Sequence, residues 1–334
     1  NDPRYFFDIT TYTGTGASRD FKYKFGPDLI WLLNRGGSGT HRVNDQILGT
    51  NNYLKLEQTS ASTSEANNIT AFNSDGYTMG TNGDINSSGG SYVSYNWDAG
   101  TAASGANNDG TVNVSSGNQW VNTTAGFSIT KVDTDAANTN FGHGLSAKPE
   151  FIISKKIGAT SHWHVYHDSI HSGGGYLNIE SNGTGSSSST GAWSQAPDST
   201  KIYTHDNITD GDWIFYAWTP IPGYSKFGSY EGNGNNAGPF IHTGFKVRFL
   251  ITRNVDATAN WRITDTDRAD IPFANPQDQK LYTDGNWAEG SGDEIWLFSN
   301  GFKILDSDSG FNSNGHTFIY AAFAEHPFKT ARAR

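Results

Sequence analysis

Four histidines crowd one short stretch, at His162, His164, His167 and His171. Imidazoles two positions apart on a strand project from the same face, so His162 and His164 could ligate a single metal ion. Corresponding stretches argue against that chemistry, because one offers only His41 and the other Asn260 with Arg262. The row therefore reads as hydrogen-bonded surface histidines, with no bound metal expected. His162, His164 and His167 remain binding candidates on account of their density.

Two tryptophans are the other binding candidates. Trp193 sits in SNGTGSSSSTGAWSQAP, Ser181 to Pro197, the most compositionally biased segment of the chain. A rigid aromatic on an adaptable loop suits stacking on sugar rings or burial at an interface. The competing reading, favoured by a similarly placed Trp287, packs Trp193 beneath its own loop. Trp120, in NQWVN, has no counterpart elsewhere, which makes it a surface candidate.

Carboxylates offer less. Asp206, Asp210 and Asp212, or Asp306 and Asp308, lack the spacing of a twelve-residue calcium loop and read as turn caps. Glu57, Glu65, Glu180, Glu289 and Glu325 could supply the acid pair of a glycosidase, but such residues are mostly solvated. There is no nucleophile elbow, phosphate loop, zinc-protease motif or dinucleotide fingerprint. Neither an enzyme nor a cofactor is expected. The Asn-x-Ser/Thr matches, such as Asn68 and Asn122, follow from composition.

The elements that must carry these residues recur three times. Openings at Tyr12, Val132 and Tyr230 lead to closing aromatic strands at Trp97, Trp218 and Phe323. Each opener-to-closer span is roughly 85–95 residues, a regularity that marks duplicated units. Apolar runs DLIWLLN, EFIISKK and VRFLITR are short enough to be strands buried on both faces. HRVND, HWHVYHD and NWRITD follow them, with Trp163 and Trp261 marking a core face. Ser74-Asp75-Gly76 and Asn300-Gly301 supply the backbone freedom of tight hairpins, whereas the middle copy from Ile202 lacks a clean turn. The predicted fold is all-β: three tandem related antiparallel β-sandwich-like modules, with sandwich and small barrel both open. The modules span residues 1–100, 118–219 (the divergent copy) and 223–328, followed by a basic tail at 329–334.

Composition agrees with many short strands and turns: of 334 residues 39 are Gly, and charged residues make up only 17%. Cysteine is absent, which removes disulfides and thiolate chemistry. The net charge of −10 argues against a nucleic-acid partner, and no apolar stretch is long enough for membrane insertion as a helix. Asn1 reads as a processed, trimmed or otherwise defined start.

Several phrases together carry a family resemblance: FGPDLIWLLNR from Phe25, SDGYTMGTNGDINSSGGSYVSYNWDAG from Ser74, TTAGFSI from Thr123, FGHGLSAKPEFIISK from Phe141, GYSKFGSYEGNG from Gly223, and FIYAAFAEHPF ending at Phe328. Their order and spacing resemble a repeat domain of unknown function found in virion structural proteins of tailed, especially marine, bacteriophages. The resemblance implies a virion location and a tail fibre or receptor-binding appendage that mediates host attachment. Implied partners are other virion proteins, a host cell-surface glycan or protein, and further copies of the chain in a homotrimer. A head fibre or capsid-decorating subunit is the alternative, and a polysaccharide depolymerase a third. The family transfers no catalytic residue. The chain departs from its pattern at VDTDA and in the shortened hairpin from Ile202.

Overall fold

Strand accounts for 44% of the chain and helix for 3%, which establishes an all-β class with antiparallel sheets. The computed structural model describes residues 3–134, 138–170, 175–185, 191–268, 275–292 and 295–325. His171, part of the Ser-rich loop and the basic tail lie outside the described residues.

Three large sheets share one spatial order of five strands. In the first it runs Phe7–Thr13, Ser91–Trp97, Leu29–Asn34, Arg42–Asp45, Asn52–Lys55. In the second it runs Phe127–Thr134, Gly211–Trp218, Phe151–Lys156, His164–His167, Leu177–Asn178. In the third it runs Ser225–Glu231, Thr317–Ala324, Val247–Asn254, Arg262–Asp265, Leu281–Tyr282. Registers coincide as well, since Leu29, Phe151 and Phe249 each pair with the closing aromatic of its sheet, Trp97, Trp218 or Phe323.

Both faces of each large sheet are covered, which is why the apolar runs show no alternation. Outer faces pack on small sheets. Arg19–Lys22, Gly76–Met79 and Ile69–Asn73 cover the first, through Phe21, Tyr77 and Met79. Asn140–Gly142 with Lys201–Tyr203 covers the second, and Phe240–His242, Gly301–Ile304 and Ile295–Phe298 cover the third. The hairpin turns fall at Asp75-Gly76 and Asn300-Gly301, and the middle small sheet has only two strands.

Inner faces meet one another in a single central core. The closing aromatics occupy its centre: ring centroids lie 6.2 Å apart for Trp97 and Trp218, 5.9 Å for Trp97 and Phe323, and 6.5 Å for Trp218 and Phe323. Buried polar pairs then tie each sheet to the next. Tyr95 donates its hydroxyl to Asp265 at 2.7 Å, and Tyr216 donates to Asp45 at 2.7 Å. The third such position has Ala321 in place of tyrosine. There the residue equivalent to the two aspartates is His167, whose Nε2 donates to the Tyr320 carbonyl at 3.0 Å. Loss of the donor on one sheet is thus matched by a change from acceptor to donor on its neighbour. The same three residues also hold the turns that follow them, with Asp45 accepting from Ile47 and Leu48, Asp265 from Asp267 and Arg268, and His167 Nδ1 from Ser169.

A second belt runs parallel to the first. Trp163 Nε1 donates to the Lys55 and Gln58 carbonyls, Trp261 Nε1 to that of Asn178, and His41 Nε2 to that of Gly285 at 3.2 Å. His41 is therefore the structural equivalent of Trp163, not of His162.

Candidate functional site

Where the first and second sheets adjoin, loops enclose an open cleft of about 540 Å³ lined by Glu57, Gln58, Thr59, Thr160, His162 and Glu180 among others. Its position follows from the second belt. Glu57 accepts the backbone N–H of His41 at 3.1 Å, and Glu180 accepts that of Trp163 at 3.2 Å. Asp284 does the same for Trp261 at 3.2 Å. Burial pushes Glu57 up to about 7, raises Glu180, and takes Asp284 to about 6. Because the carboxylate-to-amide bond recurs at all three equivalent positions, it secures the strand junction in each.

His162 is particular to the cleft. Its side chain is 58% exposed and its Nδ1 lies 2.5 Å from Glu180 Oε1. This places a solvent-facing imidazole on a buried carboxylate. Among the described residues no three His, Cys, Asp or Glu side chains gather as a metal-ligand set.

The remaining sequence candidates fall elsewhere. His164 does not belong to a surface row, being buried between Tyr176 and Trp213 at ring distances of 5.0 and 5.8 Å. It takes the strand position held by Arg42 and Arg262 in the other sheets. Arg42 pairs with Asp84 on the short helix Gly83–Asn86, and Arg262 with Asp308 at the start of Ser309–Asn312. Among the described residues the second sheet has no such helix, so a neutral ring replaces the cation. Burial first, then the charge of His162, holds His164 down at about 4.

His167 is buried in its inter-sheet tie and is likewise no surface ligand. Trp193 is 1% exposed, bridged to Thr204 and packed edge-on to Tyr166 and Phe215, so it is a core residue of the second sheet's outer layer and not an exposed anchor. Trp120 is half-buried against the central core, which removes it as a free surface anchor.

Burial alone lowers His167 to about 4, below the ordinary imidazole value near 6.5. Its folded-state pKa is depressed, so its contribution is complete above about 6.5 and is lost as pH falls toward 4. His167→Asn should cost about 1–3 kcal/mol at pH 7 by orphaning the Ser169 amide and the Tyr320 carbonyl. The gap to wild type should then close on acidification, by up to about 1.4 kcal/mol per pH unit. Urea unfolding at pH 7 and 5 measures both, and a gap independent of pH would refute the assignment. Glu57 works in the opposite sense: its raised pKa means stability present below about 4.5 is lost as pH rises through 7. Glu57→Gln should match wild type at pH 4.5 and exceed it at pH 8 by roughly 1 kcal/mol, a figure reduced for solvent in the cleft. Melting curves at the two pH values test this.

One aromatic group was missed by sequence reasoning. Phe240, Trp296 and Phe298 are 47%, 43% and 36% exposed on the outward face of the third small sheet. The alternation in Ile295–Phe298, with Ile295 and Leu297 turned inward, was the signal that could have found them.

A family model for a domain of unknown function, DUF7483, matches residues 2–327. The chain belongs to the DUF7483 family. The match covers all three large sheets of this DUF7483 chain, so the ties between them fall within one family unit. A search of curated proteins finds no match.

Proposed function

We propose that this DUF7483 protein is a structural protein of the virion surface of a tailed bacteriophage, a tail fibre or receptor-binding appendage that engages the host without catalysing a reaction. The observation that carries the structural half is the closed set of three sheets, each joined to the next through buried hydrogen bonds. Buried polar ties of this kind fix one arrangement of packed layers and suit a rigid body that presents surfaces. The resemblance of its phrases to phage virion repeats supports the location. In this reading the chain comprises three tandem copies of one two-layer unit, as the common strand order suggests, and assembles as a homotrimer with other virion proteins. Its host ligand is a surface glycan or protein.

Gold-labelled antibody on intact particles should mark a tail appendage. Labelling of the capsid shell would reject the fibre reading, and unlabelled particles would reject a virion role. For attachment, purified protein should compete with phage for adsorption to host cells, and undiminished adsorption would count against it. Light scattering should give three times the chain mass.

A further inference from the structure

We infer that the outward face of the third small sheet is a saccharide-binding site, with Trp296 and Phe298 as the stacking surface, Phe240 as its wall and Lys303 as a polar contact. This inference rests on the adhesion half of the proposed function and supplies its ligand class. The side chains belong together by register: Lys303 pairs across the sheet with both Phe240 and Trp296, which puts all three on the same face of adjacent strands. Phe298 pairs with Gly301, and a Cβ at Gly301 would stand 2.9 Å from the Phe240 ring. The missing side chain lets Phe240 and Phe298 meet over the middle strand, with centroids 5.6 Å apart and planes at 76°. Trp296 lies 6.1 Å from Phe298 at 58°. The rings thus form a stepped surface with a floor and a wall.

The first small sheet shows that the fold does not require aromatics here. Its equivalent face carries Asp20, Ala71, Asn73 and Thr78, with Thr78 donating to Asp20 at 2.6 Å. Sheet and hairpin form there with small and polar groups outward. In the third sheet, three large apolar side chains are held in water instead, and this is the pattern of an interaction site.

Size selects the occupant. At these exposures the three rings offer roughly 250 Å² of free surface, taking about 150–250 Å² for a whole aromatic side chain. A specific protein partner buries about 800 Å² on each side, so the patch is too small for a second copy but matches one or two pyranose rings. The apolar C–H face of a sugar stacks on an indole or phenyl ring, while its hydroxyls need hydrogen-bonding neighbours. Lys303, and the exposed Ser299 and Asn300 in the adjoining turn, supply them.

The test is native gel electrophoresis of the full chain through dextran, mannan, galactan, alginate and host lipopolysaccharide, the set spanning neutral and acidic sugars. At least one should retard the wild type. Trp296→Ala with Phe298→Ala should weaken that retardation about tenfold or more, and Trp296→Tyr should retain it within about threefold. Asn73→Ala, at the first-sheet position equivalent to Phe298, should change nothing in retardation, and melting temperatures should confirm that each variant is folded. Retardation by none of the five, or equal retardation of the double variant, overturns the site. So does a self-associated form in light scattering that the double variant abolishes, which would make the face a contact between copies. If the double variant still adsorbs to host cells like wild type, the site fails while the adhesion reading stands. If wild type binds a polysaccharide but not host cells, adhesion fails and the site survives.

Discussion

Trp97→Ala should destabilise the protein by about 3–5 kcal/mol, the range for removing a fully buried large aromatic side chain. Trp97 is 2% exposed and touches all three sheets. Its ring lies 5.0 Å from Phe7 and 5.3 Å from Trp31 within its own sheet, 6.2 Å from Trp218 in the second, and 5.8 and 5.9 Å from Phe249 and Phe323 in the third. No single sheet can relax into the space without pulling away from the others. The loss should therefore appear as an earlier midpoint in one urea transition with an unchanged slope, monitored together by far-ultraviolet circular dichroism and tryptophan fluorescence. Separate transitions from the two probes would mean that the first sheet melts alone and that the core is not common. Trp296→Ala, on the exposed face, should stay within about 0.5 kcal/mol of wild type.

Arg268→Met should cost a comparable amount, about 3–5 kcal/mol, for an electrostatic reason. The guanidinium is fully buried, as is its partner Asp265 at 2.5 Å, and it also donates to Glu289 at 3.0 Å and to the Ile263 carbonyl at 2.9 Å. Removing the cation leaves Asp265 buried without its compensating charge, while Glu289 keeps its pair with Arg35 at 2.5 Å. Asp265 is also the acceptor of the Tyr95 hydroxyl, so damage at Arg268 reaches the tie between the first and third sheets. Tyr95→Phe and Arg268→Met combined should therefore depart from additivity by more than about 0.5 kcal/mol in a double-mutant cycle. Strict additivity would show that the pair and the tie act independently. The exposed pair Lys22–Asp75, at 2.8 Å with both side chains more than half exposed, is the control. Lys22→Met should leave the unfolding midpoint essentially unchanged.

Much of this architecture was legible because its signals are local. The turns at Asp75-Gly76 and Asn300-Gly301 depend on residues a few positions apart, and the structure places hairpins there. The site was less legible because burial depends on partners far along the chain. His164 looks like a surface histidine until it is seen in the strand position of Arg42 and Arg262, without the helix-borne carboxylate those cations use. The inter-sheet ties span intervals such as Tyr95 to Asp265 and leave no local motif. Their trace was nonetheless present, in the paired exchange of aspartate for His167 and tyrosine for Ala321. Phe240, Trp296 and Phe298 escaped notice for the opposite reason, since aromatics in a hairpin pattern are ordinarily assigned to the core.

The meeting of Trp97, Trp218 and Phe323 also limits how such a chain can evolve. An open array of repeats grows or shrinks by whole units, because every end presents the same surface to the next. Here the third sheet already faces the first, through Tyr95 and Asp265 and through His41 and Gly285, and leaves no end to extend. A fourth sheet would find no vacant face at this core, and loss of one would leave a side of the central aromatics in water. Adding or removing a sheet is therefore closed as a source of novelty. Change has to come by substitution on the outward faces, one third of the molecule at a time, while the inward faces of all three answer to one another.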